Sequence, residues 1–252
     1  MPSTTPLTDA INALTTYANT VTGASDTDLS SAVATLAAGY GGGGGGIPSG
    51  YTARTYIQSN GDAYINMGFN EAIGTSMVIE AEFDGSNASR QFSLFGYQGT
   101  NVSSQRFVML LANNNGGPAY YGKGSGNEVL SGWVYGQKNT VKVDFSSDAT
   151  YPVFTINNTT TTGAKAKTNT TGGGMGNWFL LAQDYQGNPT ATDLVVGDAY
   201  ARCYGFKLTM FGITVRNFLP CTRNIDSVAG FWDTCTETFY PSIGSQAFTY
   251  GA

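Results

Sequence analysis

Three carboxylates alternate with apolar residues in Glu80-Ala-Glu82-Phe-Asp84. On an extended chain, residues two apart project from one face about 7 Å from each other. Two carboxylates so placed can supply the acid and the nucleophile of glycoside hydrolysis. The same spacing also describes a half-buried strand, with Met77, Ile79, Ala81 and Phe83 toward a core and Val78, Glu80 and Glu82 toward water. The strand reading asks for less and is the expectation here. No catalytic residue is assigned, and a hydrolase using Glu80 and Glu82 stands as the alternative.

Other chemistry is scarce. The chain has no histidine, so the commonest general base and metal ligand are missing. Its three cysteines, Cys203, Cys221 and Cys235, are odd in number and form no C-x-x-C, which argues against a disulfide framework and a zinc site. Free thiols fit assembly in a reducing cytoplasm. Gly117 to Gly124 matches G-x-x-x-x-G-K, but Gly124 stands where a phosphate loop needs Ser or Thr for magnesium, so the match is by chance. With 12 basic and 17 acidic residues the net charge is −5, which speaks against a nucleic-acid partner.

Aromatic residues are plentiful: Tyr97, Tyr120, Tyr121, Trp133, Tyr135, Trp178 and Tyr185, many beside Gly and Asn. Ring faces stack on sugar C–H surfaces while nearby amides bond hydroxyls. Most of these rings are expected in a core or at subunit contacts. Tyr120, Tyr121 and Tyr135, in Gly-rich surroundings, are the carbohydrate-binding candidates. Five Asn-x-Ser/Thr sites, from Asn87 to Asn169, read as composition, because no signal peptide is visible.

The elements that would position these residues fall into three parts. Residues 1–40 read as two short helices. Thr5 caps, Pro6 suits the first helical position, and Leu7, Ile11, Leu14, Ala18 and Val21 recur at spacings of four and three. Leu29, Val33 and Leu36 line the second helix. Two such helices cannot bury their own apolar seams. They must pack on something else, either the chain's own β domain or a further chain; Leu7, Ile11, Leu14, Val21, Leu29, Val33 and Leu36 are assigned to oligomerisation or attachment, with three chains favoured. Residues 41–50 hold six consecutive glycines, a flexible linker lacking the Lys and Ser/Thr of a phosphate loop. Residues 51–252 show short alternating strands split by polar turns. Phe107 to Ala112 is apolar on both faces, as a central strand is. Ten to thirteen strands without helical periodicity predict an all-β two-sheet antiparallel sandwich. No apolar run is long enough for a membrane span.

The final fifty residues are the most patterned. In Cys203 to Met210, Tyr204, Phe206, Leu208 and Met210 are expected on one face, with Cys203, Lys207 and Thr209 on the other. A turn near Gly212 and Thr214 returns the chain into Val215-Arg-Asn-Phe-Leu-Pro-Cys221, where Pro220 is expected to end strand pairing. Gly230-Phe-Trp-Asp233, Thr238-Phe-Tyr240 and Gly244-Ser-Gln-Ala-Phe248 follow. This series, with Tyr56-Ile-Gln-Ser-Asn-Gly-Asp-Ala-Tyr-Ile-Asn-Met-Gly-Phe69 near the domain start, resembles the LamG-like, concanavalin A-type jelly rolls of gut bacteriophage proteins and their bacterial hosts. Residues 1–40 resemble an N-terminal unit of phage structural proteins.

The resemblance implies a jelly-roll fold and a virion context. It implies a fibre, decoration or tail-associated subunit, made in the bacterial host cytoplasm, that adheres to a bacterial or mucosal glycan. Other virion proteins would be its partners through the N-terminal segment. A bacterial surface adhesin is a further alternative. Some hydrolases of this fold carry E-x-D-x-x-E or E-x-D-x-E on one strand; here the order is E-x-E-x-D. No cofactor is assigned, and calcium is left open through Asp84, Asp193 or Asp198, although no ligand-spaced acidic loop occurs. If residues 1–40 assemble the protein, light-scattering mass of the full chain is a multiple of the monomer, and deleting residues 1–46 leaves a monomer.

Overall fold

The computed structural model describes residues 46–69, 77–85, 92–98, 106–111, 118–121, 128–148, 150–165, 177–185, 188–190 and 200–252. Ile47–Ala252 form one compact unit. The helices expected over 1–40, and with them Leu7, Ile11, Leu14, Val21, Leu29, Val33 and Leu36, lie outside the described residues.

Among the described residues there are strands and no helix. In chain order they are β1 (Tyr51–Ala53), β2 (Ile57–Ser59), β3 (Ile65–Asn66), β4 (Met77–Gly85), β5 (Phe92–Gln98), β6 (Arg106–Leu111), β7 (Pro118–Tyr121), β8 (Glu128–Val129), β9 (Asn139–Asp144) and β10 (Val153–Ile156). They continue as β11 (Thr159–Thr162), β12 (Phe179–Leu180), β13 (Gln183–Tyr185), β14 (Asn188–Thr190), β15 (Ala201–Met210), β16 (Ile213–Arg223), β17 (Ala229–Asp233), β18 (Thr238–Pro241) and β19 (Thr249–Tyr250). Every pairing is antiparallel. The larger sheet runs β11-β10-β9-β4-β15-β16-β17-β18, with β1, β2 and β19 joined at its side. The smaller runs β3-β12-β5-β6-β7-β8, and β13 with β14 makes a separate ribbon.

The two sheets face each other across an aromatic core. Phe83 of the larger sheet stacks on Phe95 of the smaller at 5.9 Å, and Phe206 meets Phe95 edge-on at 5.4 Å. Phe107 meets Phe145 at 5.0 Å, and Tyr120 meets Phe154 at 4.5 Å. Each fully buried ring contributes about 1.5–3 kcal/mol through area removed from water. The fold is thus an all-β two-sheet antiparallel sandwich. As expected for a central strand, β6 lies between β5 and β7, and its outward Val108 and Leu110 are buried with Ala119.

Three details differ from the sequence-based expectation. Tyr204 does not share a face with Phe206. The register shifts between Cys203, opposite Phe83, and Gly205, opposite Glu82, so Tyr204 is the extra residue of a bulge. Ala201 and Cys203 therefore point into the core with Phe206 and Leu208, and Tyr204 is left half-buried on the outer side. The turn after β15 is Phe211-Gly212, with φ of 52° and 77° at its two central residues, as a two-residue hairpin of primed type requires. Pro220 does not end pairing: it sits opposite Phe231 within β16. On the other side of β16, β15 stops pairing at Phe218 and β1 starts at Cys221, so the missing proline N–H falls where neither strand uses one.

The recognisable motifs meet in one seam. Asp233 is fully buried, and its carboxylate accepts the N–H of Asn217 (2.9 Å), the N–H of Cys235 (3.1 Å) and the Thr236 hydroxyl (2.8 Å). Arg216 lies 3.7 Å from it and donates to the carbonyls of Met67 (2.8 Å) and Gly68 (2.6 Å) in the opening motif. Gly244 approaches the Asp62 carbonyl so closely that a Cβ would come within 2.1 Å of its oxygen. Asp62 in turn accepts the Ser245 N–H at 2.8 Å.

Removing one member of a buried charged pair leaves the other uncompensated, so Asp233→Ala should lower unfolding free energy by about 3–5 kcal/mol in urea titrations. Asp144 closes β9 and gives a pH signature. Burial alone would raise its pKa, but bonds from the Ser146 hydroxyl and N–H, from Lys142 and from the Ser147 N–H lower it from 3.8 to about 2. A depressed carboxyl contributes stability above its unfolded value and loses it as pH falls through the folded one. Asp144→Asn should therefore be less stable than wild type at neutral pH, with the gap closing between about pH 4 and pH 2.

Candidate functional site

Alternation along β4 sends Glu80 and Glu82 to the outer face of the larger sheet, as expected for the polar side of a half-buried strand. Each meets a lysine: Lys207 Nζ lies 2.5 Å from Glu80 Oε2, and Lys138 Nζ lies 3.1 Å from Glu82 Oε1. The two carboxylate side chains are 49% and 39% exposed, so these pairs are solvated and worth about 0–1 kcal/mol each. Around them runs an open groove of about 360 Å³, with Lys142, Asn157 and Asn217 among its walls and Gly205 in its lining. The groove offers ammonium and amide donors, threonine hydroxyls and carboxylate acceptors. It suits a polyhydroxylated or otherwise polar ligand lying across the strands. Both carboxylates stay open to water.

Toward one end of this face the third carboxylate behaves differently. Asp84 is 1% exposed, because Arg202 and Tyr200 cover it. Its Oδ2 lies 3.3 Å from Arg202 Nη1 and accepts the Tyr200 hydroxyl at 3.4 Å, while Oδ1 is buried without a hydrogen-bond partner. The Arg202 guanidinium sits over the rings of Tyr56 (4.6 Å) and Tyr200 (4.3 Å), and its Nε donates to Gln58 Oε1 at 2.8 Å. With a guanidinium at its side, Asp84 already has a cation. Of the other calcium candidates, Asp193 and Asp198 lie outside the described residues. No cluster of three or more potential metal ligands occurs among the described residues.

The three tyrosines singled out for carbohydrate binding are not brought together as an exposed set. Tyr120 is fully buried, its hydroxyl donating to Glu128 Oε2 at 2.9 Å and accepting the Lys165 N–H at 2.8 Å. Its ring lies among Phe107 and Phe154 and offers no face to a sugar. Burial pushes its pKa up, and the neighbouring Glu128 adds to the rise. Tyr121 ends β7, and its side chain lies outside the described residues. Tyr135 packs half-buried against the core near Trp133, at 6.3 Å between rings. Tyr97 and Trp178 are core residues, 5.0 Å apart. All three cysteines are free; burial pushes the Cys221 thiol up to about 12 and the Cys235 thiol up to about 11.

Sequence reasoning passed over an aromatic group on the same outer face. Across the strands, Lys207 pairs with Asn217, Leu219 with Trp232 and Trp232 with Phe239. The same outer face thus carries Trp232 and Phe239, which Tyr51 joins at 5.0 and 5.2 Å. The signal was present in Gly230-Phe-Trp-Asp233. If Phe231 points to the core, its neighbour Trp232 must point out, where a tryptophan is unexpected.

No family model matches the chain, and no curated protein is similar to it. Among solved structures, a glycosyl hydrolase family protein from Mycobacterium fortuitum is similar over 54% of this chain and 64% of its own, at 12% identity and a TM-score of 0.27. The likeness spans less than two thirds of that protein, and at this TM-score it carries no argument about fold or chemistry.

Proposed function

We propose that the chain is a non-enzymatic structural protein of a bacteriophage particle, a fibre, decoration or tail-associated subunit. Its LamG-like jelly roll would be displayed outward to bind a bacterial or mucosal glycan. Residues 1–40 would form the helical anchor that joins it to further copies and to other virion proteins, and residues 41–50 the leash. The particle context rests on the sequence resemblance of both ends of the chain.

The binding part rests on one observation. The outer face of the larger sheet is an open groove with paired donors and acceptors, and its two strand carboxylates are each held by a lysine. A hydrolase needs one carboxyl protonated beside the scissile bond and the other free to attack. Glu80 and Glu82 are both solvated and both paired, which favours recognition over bond cleavage. A single shallow site binds weakly. Several copies on one particle raise the effective concentration at a surface and turn weak sites into firm adhesion.

The assembled full-length protein, incubated with a printed panel of bacterial capsular and mucin-type oligosaccharides, should retain a subset of them and release no new reducing ends. Retention of none removes the adhesive role. Release of reducing ends that Glu80→Gln or Glu82→Gln abolishes replaces this reading with a hydrolase.

A further inference from the structure

Tyr51, Trp232 and Phe239 stand half-buried on the outer side of the larger sheet, where alternation would put polar residues. Their rings are tilted by 46° and 42° about Tyr51 at centroid distances of 5.0 and 5.2 Å. The backbone beneath is cleared for them. At Gly230 a Cβ would come within 2.8 Å of the Phe239 ring and 2.3 Å of the Tyr240 carbonyl oxygen. Any side chain there would lift Phe239 off the sheet.

The rim of this platform is polar and partly unused. The Arg223 guanidinium lies 5.2 Å from the Phe239 ring centre and is held by Asp226 through contacts of 2.6 and 3.1 Å. Thr52 donates to Asn224 Oδ1 at 2.7 Å, which fixes the amide with its NH₂ left over. Neither that NH₂ nor the Trp232 indole N–H has an acceptor among the described residues.

We propose that this platform is a saccharide-binding subsite, a deepening that rests on the glycan-display reading above. A pyranose would lay its C–H face on Trp232 and Tyr51 while its hydroxyls accept from the Trp232 indole and the Asn224 amide. Arg223 and Asp226 would bond the substituents at its edge. The size of the patch argues for a sugar over a protein. Three half-buried rings of about 150–250 Å² each leave at most about 400 Å² open. A specific protein contact covers about 800 Å² per partner, and one sugar ring or two needs far less. Leu219, opposite Trp232, lies two residues along β16 from Asn217, which lines the groove, so a longer chain of sugars could continue across the sheet.

The test uses the full chain and the oligosaccharide retained most strongly from the capsular and mucin-type panel. Trp178 is fully buried and Trp133 nearly so, which leaves Trp232 to report binding by its fluorescence. Titration should quench or blue-shift the wild-type emission. Measured by isothermal titration calorimetry, which needs no tryptophan, Trp232→Ala should weaken binding at least about tenfold, as loss of an anchoring aromatic does, while Trp232→Phe keeps most of it. Asn224→Ala, which leaves the rings in place, should weaken it severalfold and guards against a misfolded tryptophan variant. If the panel yields binding that Trp232→Ala and Asn224→Ala leave within twofold of wild type, the subsite is wrong and glycan display stands. If nothing is retained, both are wrong. If Trp232→Ala lowers the solution mass of the assembly and spares sugar binding, the platform is a subunit contact and the proposal is overturned.

Discussion

A carboxylate with no exposure to water holds the seam of this sandwich. Buried charge is tolerated only where partners replace its hydration, and Asp233 has four: two backbone N–H groups, a threonine hydroxyl and the Arg216 guanidinium. The partners come from two pieces of chain, β16 and the turn after β17. Asn217 is in β16, Cys235 and Thr236 form the turn after β17, and Arg216 reaches on to Met67 and Gly68. Met67 follows β3, an edge strand of the other sheet. One ion pair therefore sets the register of β16 against β17 and fastens the domain's opening segment to its closing one.

Around that seam the glycines act by being small. Gly244 lets the closing segment lie against the Asp62 carbonyl, and Gly230 makes room for the Phe239 ring. The patterned residues at the start and the close of the domain are thus mostly those that close the fold. Such residues bear on architecture more than on activity: an Arg–Asp clamp and two close approaches of backbone are needed whatever the outer face binds.

The outer face of the larger sheet has a different logic. Its inner side is committed to the core, so its outer side is free to vary. Pairs of opposite charge cover the middle, Glu80 with Lys207 across the strands and Lys142 with Asp144 along β9, and an aromatic platform covers β17 and β18. Polythreonine β11 closes the far edge with small hydroxylated side chains, a surface that discourages further strand pairing through apolar contact.

The sequence alone determined the class of fold, because a period of two is a local property: each apolar residue of β4, β9 and β10 already names its side. It also told Glu80 and Glu82 apart from core residues, and it marked β6 as central from an apolar run with no polar face. Only the tertiary structure decided the rest. A single extra residue at Tyr204 reverses the face of everything before it, and whether a bulge forms depends on the partner strand, not on the strand itself. Tyr120 looked like a loop ring among glycines; the second sheet, far away in sequence, covers it. Tyr51 and Trp232 lie far apart along the chain and become neighbours only because β1 pairs with β16 while β17 pairs with its opposite edge. Contacts between distant strands are set by which edges meet, and no local pattern records that.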